Sequence, residues 1–400
     1  MSDILAGIKI IEMGQVIAIP TTGAILSDMG AEVIKLEPLS GEMLRGIKRC
    51  QGLETGPVNW VFELLNRNKK GLALDLKKDA GRDILYRLIR TADVFMSNYE
   101  SSALQKLKLD YASLSKINPK LVYASINGYG SAGPDRDERG YDQAAAWARS
   151  GMMYLIGEPG STPVLQREGM MDNVAGTHVA AGILAALLHR ERTGKGQEVA
   201  TSLYHCGVWT ISGDIQKALG GQVPVKTLRT KAQNPLSNNY LTKDDRWICL
   251  ANLQSDPVWP GFCLSIGKPE LQNDPRFASF AKRAQNCEEL IRIVDRALAS
   301  KNLDDWIVAF RKNNVICGRV QTPAEVVNDP QALANDFFTE IDHTETGKIK
   351  LINTPVKFYP DPGSVKTAAP QVGQHTEEIL LGIGYTWEEL SRLKDERIIP

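Results

Sequence analysis

Apolar residues along this chain fall into short runs separated by stretches of helical period. Residues 8–13 form an apolar strand, 21–29 a helix closed by Gly30, and 32–36 a second strand. Strand, helix and strand within about thirty residues open a parallel α/β sheet. The pattern then repeats, with a strand at 71–76, a helix at 80–91 and a strand at 94–97. A further strand at 121–126 ends in the turn Gly128-Tyr129-Gly130-Ser131-Ala132-Gly133-Pro134. Helices at 141–150 and 173–191 and a strand at 198–203 complete this half. In such sheets ligands gather beyond the carboxyl ends of the strands. The loops after Met13, Ser97 and Ile126 are therefore the expected walls of a site.

The character changes after Gly221. Polar, proline-containing segments appear, then a strand at 247–251 and short helices as far as 315. A smaller α+β domain is expected over 225–325. The large domain would span 1–220 and be completed by 330–400, with a helix at 323–327, a segment at 332–338, a strand at 348–352 and an amphipathic stretch at 376–393. The expected fold class is α/β, a Rossmann-like parallel-sheet domain plus the smaller one.

Composition narrows the function. Four hundred residues, 43% hydrophobic and 24% charged, form an ordinary globular chain with length for two domains. Lys+Arg and Asp+Glu are both 47, so the net charge is zero, and no basic block with interleaved aromatics offers a nucleic-acid surface. The six cysteines, Cys50, Cys206, Cys249, Cys263, Cys287 and Cys317, show neither CxxC spacing nor a zinc pattern with histidine. They are read as reduced thiols, and no metal site is expected. Met1-Ser2-Asp3-Ile4 lacks the charged-then-apolar start of a leader, and no apolar run nears ~18 residues. The expectation is a cytoplasmic protein with no membrane partner.

The opening strand, helix and strand, with Glu37 ending the second strand, invite a dinucleotide reading. The first turn, Gln15-Val16-Ile17-Ala18-Ile19-Pro20, lacks the glycines that let a pyrophosphate approach the backbone. GxSxG, HExxH and GxxxxGK[ST] are also missing. His178 and His189 lie within or at the end of one helix and read as structural, His189 complementing the helix dipole. The informative stretch is Met171-Asp172-Asn173-Val174-Ala175-Gly176-Thr177-His178, which opens a long helix rich in small residues. Asp172 has two readings. One is an N-cap whose oxygen is spent on its own backbone. The other is a nucleophile: a carboxylate near its ordinary pKa of about 4 is ionised at neutral pH and needs no base to attack a thioester. It needs orientation, a dry pocket and oxyanion donors, for which Asn173 and Gly176 are the neighbours to examine.

Several motifs in order carry a family resemblance. These are Leu5-Ala6-Gly7-Ile8-Lys9-Ile10-Ile11-Glu12, Gly30-Ala31-Glu32-Val33-Ile34-Lys35-Leu36-Glu37 and Asn66-Arg67-Asn68-Lys69-Lys70. Asn118-Pro119-Lys120-Leu121-Val122, Gly128-Tyr129-Gly130, Thr193-Gly194-Lys195-Gly196-Gln197 and Val372-Gly373-Gln374-His375-Thr376 follow. Together they resemble the class III CoA-transferases across nearly the whole chain. The resemblance places the family's nucleophilic aspartate on Asp172. It implies an aspartyl-acyl anhydride and then an aspartyl-CoA thioester. Coenzyme A would be a co-substrate rather than a resident cofactor, exchanged between an acyl-CoA and a free carboxylic acid. Its contacts carry over onto Val16, Ile17 and Ala18, Leu74 and Lys77, Asn98 and Tyr99, and Lys106 and Arg139. Tyr141 and Asp142 would line the pocket and orient Asp172, with Asn173 and Gly176 beside it. The resemblance also implies a homodimer of two interlocked chains.

Within the family, Ile17 and Pro38 stand where the formyl-CoA branch carries glutamine and arginine, and the second domain lacks that branch's glycine run. The chain looks nearer the branch acting on 2-hydroxyacyl and aryl-acyl CoA esters. Two alternatives stay in view. A racemase of 2-methylacyl-CoA on the same fold would need a histidine before the aspartate of a Gly-His-Asp triplet. Here the triplet is Gly140-Tyr141-Asp142, and tyrosine, with a pKa near 10, is a poor α-carbon base. The other alternative is a non-catalytic CoA-binding protein.

Overall fold

The computed structural model describes residues 4–47, 56, 58–359 and 363–400, and the backbone of 49–50 and 53–54. Contacts divide the chain into two compact units. The first comprises 1–154, 165–222 and 331–400; the second comprises 155–164 and 223–330. Segment 155–164 was read as part of the large domain and instead belongs to the second unit.

The first unit is built on six parallel strands: β1 (Lys9–Met13), β2 (Glu32–Glu37), β3 (Lys70–Ala73), β4 (Val94–Ser97), β5 (Val122–Asn127) and β6 (Glu198–Ser202). Their spatial order is β3-β2-β1-β4-β5-β6, with every neighbour pair parallel. This is the doubly wound order, in which the strand sequence reverses between β1 and β4 and leaves a crevice at their carboxyl ends. The strands are apolar on both faces because helices cover both. One face packs on α1 (Ala18–Asp28) and the long α5 (Met170–Thr193). The other packs on α2 (Asp79–Ile89) and α4 (Tyr111–Ile117), with α3 (Ser101–Lys106) between them in sequence.

Several boundaries differ from the sequence reading. Helix α1 begins three residues earlier than expected, because Pro20 sits in its first turn, where a missing N–H costs nothing. The helix expected at 141–150 is a π-helical turn over Gln143–Ala148. The segment expected at 332–338 is a short helix, Pro330–Ala334, and residue 338 opens a strand: Phe338–His343 pairs antiparallel with Gly347–Ile352. The amphipathic tail is two short helices, Thr376–Gly382 and Trp387–Asp395, broken at Gly384. Ile379, Leu380, Leu390, Leu393, Ile398 and Ile399 from this tail join the core on the α2 face.

Helix α5 is the largest element of the first unit. It is 24 residues long and, by length and composition, apolar enough to cross a bilayer, contrary to the expectation that no apolar run nears that length. Ala175, Val179, Ala180, Ile183, Ala186 and Leu187 bury one side of it in the core beside β1, β4 and β5. Gly176 lets α1 approach closely. A Cβ there would stand 2.7 Å from the Ala18 carbonyl oxygen and 2.8 Å from Thr21.

In the second unit the strands Asn239–Leu241, Trp247–Leu250 and Cys317–Arg319 form a three-stranded antiparallel sheet. Helices Ser255–Ser265, Cys287–Leu298 and Leu303–Lys312 supply its core around Trp259, Phe262, Trp306 and Phe310. The Phe262 and Phe310 rings stack at 5.8 Å.

Candidate active site

The loops that leave β1, β4 and β5 enclose a cavity of about 370 Å³ in the first unit, at the reversal point of the sheet. Its lining includes Gln15 to Ala18, Asn98 to Ser102, Ile126 to Gly128, Arg136 to Tyr141, Met43, Leu203 and Asp172. The three loops expected from the carboxyl ends of the strands all contribute to it.

The β1 loop is stiffly held. Gln15 N–H donates to Asn98 Oδ1 at 3.0 Å, and Asn98 Nδ2 donates to the Gln15 carbonyl at 2.8 Å. Ser97 Oγ donates to the Met13 carbonyl and accepts from Tyr99 N–H. The β1 and β4 loops therefore form one wall. Ile17 stands at the N-cap of α1 with no side-chain cap bond, and Ile17 and Ala18 line the cavity, so the N-terminal end of that helix, which favours an anion, meets the cavity wall.

Asp172 is the third residue of α5, not its N-cap. The cap position belongs to Gly169 at φ +74°, where a Cβ would meet Ile17 Cδ1 at 2.5 Å. Asp172 is 8% exposed and lies at the cavity wall. Among the described residues no donor is bonded to it. Burial, and after it the negative charge of Asp142, push its pKa up to about 7. The side chain is therefore not an N-cap spent on its own backbone, and its pKa stands above the ordinary value expected from sequence.

Asp142 is buried beside it. Burial raises its pKa too, while the backbone N–H groups of Gln143, Met171 and Asp172 and the side chain of Gln166 favour its charged form. The two carboxylates form a like-charge pair, both with pKa raised by burial, of which Asp172 faces the cavity.

Of the residues singled out from sequence, Val16, Ile17, Ala18, Asn98, Tyr99, Arg139, Tyr141 and Asp172 line the cavity. Leu74, Lys77 and Lys106 do not. Leu74 is sealed in the core, and Lys77 and Lys106 are exposed. Asp142, Asn173 and Gly176 do not line it either. Asn173 Oδ1 accepts from Thr21 Oγ1 at 2.9 Å, and Gly176 serves the packing of α1 on α5. Arg139 is ion-paired with Glu100 at 2.8 Å across two loops of the cavity rim. Glu100, Met43 and the charged run 136–138 were not singled out, since loop charges look alike in sequence until strand order brings them together.

His178 bonds the Val174 carbonyl within its own helix, and His189 is exposed. The five cysteines whose side chains are described are free thiols; the Cys50 side chain lies outside the described residues. Among the described residues no group of three or more His, Cys, Asp or Glu is placed to hold a metal ion.

Comparison with known proteins agrees with the motif resemblance. Residues 5–376 match the family described as CoA-transferase family III. The chain is 35% identical to (R)-2-hydroxy-4-methylpentanoate CoA-transferase of Clostridioides difficile, over 99% of each chain. It is 32% identical to cinnamoyl-CoA:phenyllactate CoA-transferase of Clostridium sporogenes, over 100% of this chain and 98% of that one. Among solved structures, a CAIB/BAIF family protein from Brucella suis superposes with a TM-score of 0.82 at 29% identity, over 95% of this chain and 99% of that one.

Proposed function

The chain belongs to CoA-transferase family III and is a CoA-transferase using CoA thioesters, and we propose that Asp172 carries the transfer as its nucleophile. The observation that supports this is a buried, unbonded carboxylate at the wall of the cavity where the sheet reverses. A carboxylate oxygen of Asp172 attacks the thioester carbonyl carbon. The C–S bond breaks, CoA leaves as thiolate, and a mixed anhydride remains. The thiolate attacks the aspartyl carbonyl, releasing the donor acid and leaving an aspartyl-CoA thioester. An acceptor carboxylate attacks that carbonyl and expels the thiolate. The thiolate then takes the acceptor acyl group, which restores the Asp172 carboxylate. No proton is consumed.

The geometry suits these steps. Both intermediates hydrolyse, so water must be kept out, and Asp172 is buried. In this reading the backbone N–H of Ala18 at the start of α1 and the hydroxyl of Tyr141, both at the cavity wall, donate to developing negative charge. Val16 to Ala18, Asn98, Tyr99 and Arg139 hold coenzyme A, with Arg139 exchanging Glu100 for a phosphate. Donor and acceptor come from the chemistry of the named relatives: a 2-hydroxyacyl or aryl-acyl CoA ester and a matching free acid.

The test is a matrix of acyl-CoA donors against carboxylic acids, read by mass spectrometry. The expected result is new acyl-CoA that forms only when an acceptor acid is present. Exchange of the acyl α-hydrogen for deuterium without any acceptor would instead indicate a racemase. CoA binding with no turnover across the matrix would indicate a binding protein.

A homodimer accompanies this function. Leu188, Trp209 and Leu219 are 55%, 64% and 76% exposed, and helix Ser212–Leu219 buries none of its own side chains. Exposed apolar surface on successive helices fits a second copy of the chain. Light scattering is expected to give twice the 44.1 kDa chain mass; a monomer at micromolar concentration would contradict it.

A further inference from the structure

The cavity wall contains a strained residue. Val16 adopts φ +65°, a left-handed conformation that a β-branched side chain rarely takes. Its N–H donates to Glu42 Oε2 at 2.9 Å. Glu42 is itself buried and over-determined. The same oxygen accepts from Leu44 N–H at 3.1 Å, its other oxygen lies 3.1 Å from Lys35 Nζ, and its own N–H donates to Glu37 Oε1 at 3.0 Å. Glu37 is gripped in turn by Arg45 through two bonds of 2.7 Å.

Lys35 is fully buried in the central sheet. It reaches Glu12 at 3.4 Å and the Gly14 carbonyl at 3.3 Å, while Lys69 meets Glu12 at 2.7 Å. Burial acts to lower the Lys35 pKa, but the charges of Glu12, Glu42 and Glu37 outweigh it and hold the amine above its ordinary value. A buried ion network is costly to assemble and gives little net stability over an apolar core. It does fix geometry, and here it ends on the backbone N–H of Val16, which with the Gln15–Asn98 pair holds the β1 loop at the cavity.

Resting on the transferase reading above, we infer that Glu42 is a positioning residue for thioester binding: its carboxylate, anchored by Lys35, clamps the Val16 N–H and so sets the wall that receives coenzyme A. Glu42 touches no reacting atom. It acts through Val16, and its loss reads out in substrate binding more than in chemistry.

Glu42→Asp separates this role from charge and capping. The shorter side chain keeps a carboxylate beside Lys35 and remains a good cap for the turn Met43–Gly46, but it no longer spans to Val16. The expected result is a rise of about tenfold in KM for acyl-CoA, the scale of one charge-assisted hydrogen bond, with kcat within about threefold. In a Val16→Gly background, where the left-handed turn carries no strain, the same substitution should change KM by less than about threefold. An unchanged KM, or an equal rise in both backgrounds, overturns the proposal.

The affinity for free CoA, measured by calorimetry, is expected to follow the same pattern without any turnover. A parent protein that binds CoA and shows this pattern but transfers nothing would sink the transferase reading and leave the clamp standing. Should Glu42→Asp fail to fold, hydrogen exchange of the parent peptide containing Val16 decides the matter. Slow exchange is expected, and exchange at the rate of a free turn overturns the clamp.

Discussion

Asp172→Asn lowers transferase turnover by about four orders of magnitude or more, the scale seen when a covalent nucleophile is removed. The carboxamide is close in size, so the cavity and α5 keep their shape, and affinity for free CoA should not weaken by more than about threefold. The loss arises because the carboxamide cannot displace thiolate from the donor. Asp172 has no structural duty to confuse the result. It does not cap α5, since Gly169 occupies that position, and among the described residues no donor is bonded to it. Retained turnover would remove Asp172 from the mechanism. Lost CoA binding together with lost helicity would mean that the residue holds the fold. Assays of both on one preparation separate these outcomes.

The second large effect is on pH dependence. A nucleophile with a pKa near 7 is half protonated at neutral pH, and only the ionised form attacks. For the parent, kcat/KM for the donor should therefore rise with pH through an inflection near 7, a value belonging to the Asp142–Asp172 pair as a unit. Asp142→Asn removes the second of the two causes of the shift. It should move the inflection below 7 without restoring an ordinary carboxylate, because burial, the larger cause, remains. An inflection that stays put on Asp142→Asn would mean that the two groups do not sense each other.

Stability changes in the opposite sense to activity. The folded chain holds a proton on Asp172 that the unfolded chain has lost between about pH 4 and pH 7. That contribution is complete below the unfolded value and disappears as pH rises through the folded one. Above pH 7 the parent carries a buried, unbonded negative charge that Asp172→Asn lacks. The variant should melt higher than the parent at pH 8, by on the order of 5 °C, with the gain shrinking toward pH 5. A lower melting temperature at pH 8 would contradict the burial cost assigned to this side chain.

Much of the first unit was legible from its sequence. The strand at 94–97 carries identical bounds in both readings, and three of the loops that line the cavity followed from the rule that ligands gather beyond the carboxyl ends of such strands. What was not legible has physical causes. The start of α5 was misplaced because Met170 and Met171 carry no capping signal and Gly169 caps through its left-handed backbone. Pro20 reads as a breaker, yet it sits where a helix tolerates it. The strand at 338–343 was not expected because its pairing with 347–352 is a tertiary choice, not a local one. Segment 155–164 lies far in sequence from the rest of its unit, and no local pattern announces that membership.

The site shows the same division. Asp172 was found through its neighbours in sequence and the family resemblance, but its protonation could not be read, because the pKa depends on Asp142 thirty residues away and on burial. Leu74, Lys77 and Lys106 were carried over by position, and the described structure does not place them at the cavity. Glu42 was passed over altogether. The available signal was Lys35, a charge inside the apolar run 33–36 of a central strand, which requires a buried partner.

The covalent step can be observed directly. Enzyme loaded with donor acyl-CoA, without acceptor, is treated with borohydride, digested and mapped by mass spectrometry. The account predicts that the peptide containing Asp172 carries the mass change of a carboxylate reduced to an alcohol, and that the change is lost in Asp172→Asn. An unmodified Asp172 peptide, while an untreated aliquot turns over normally, would contradict it.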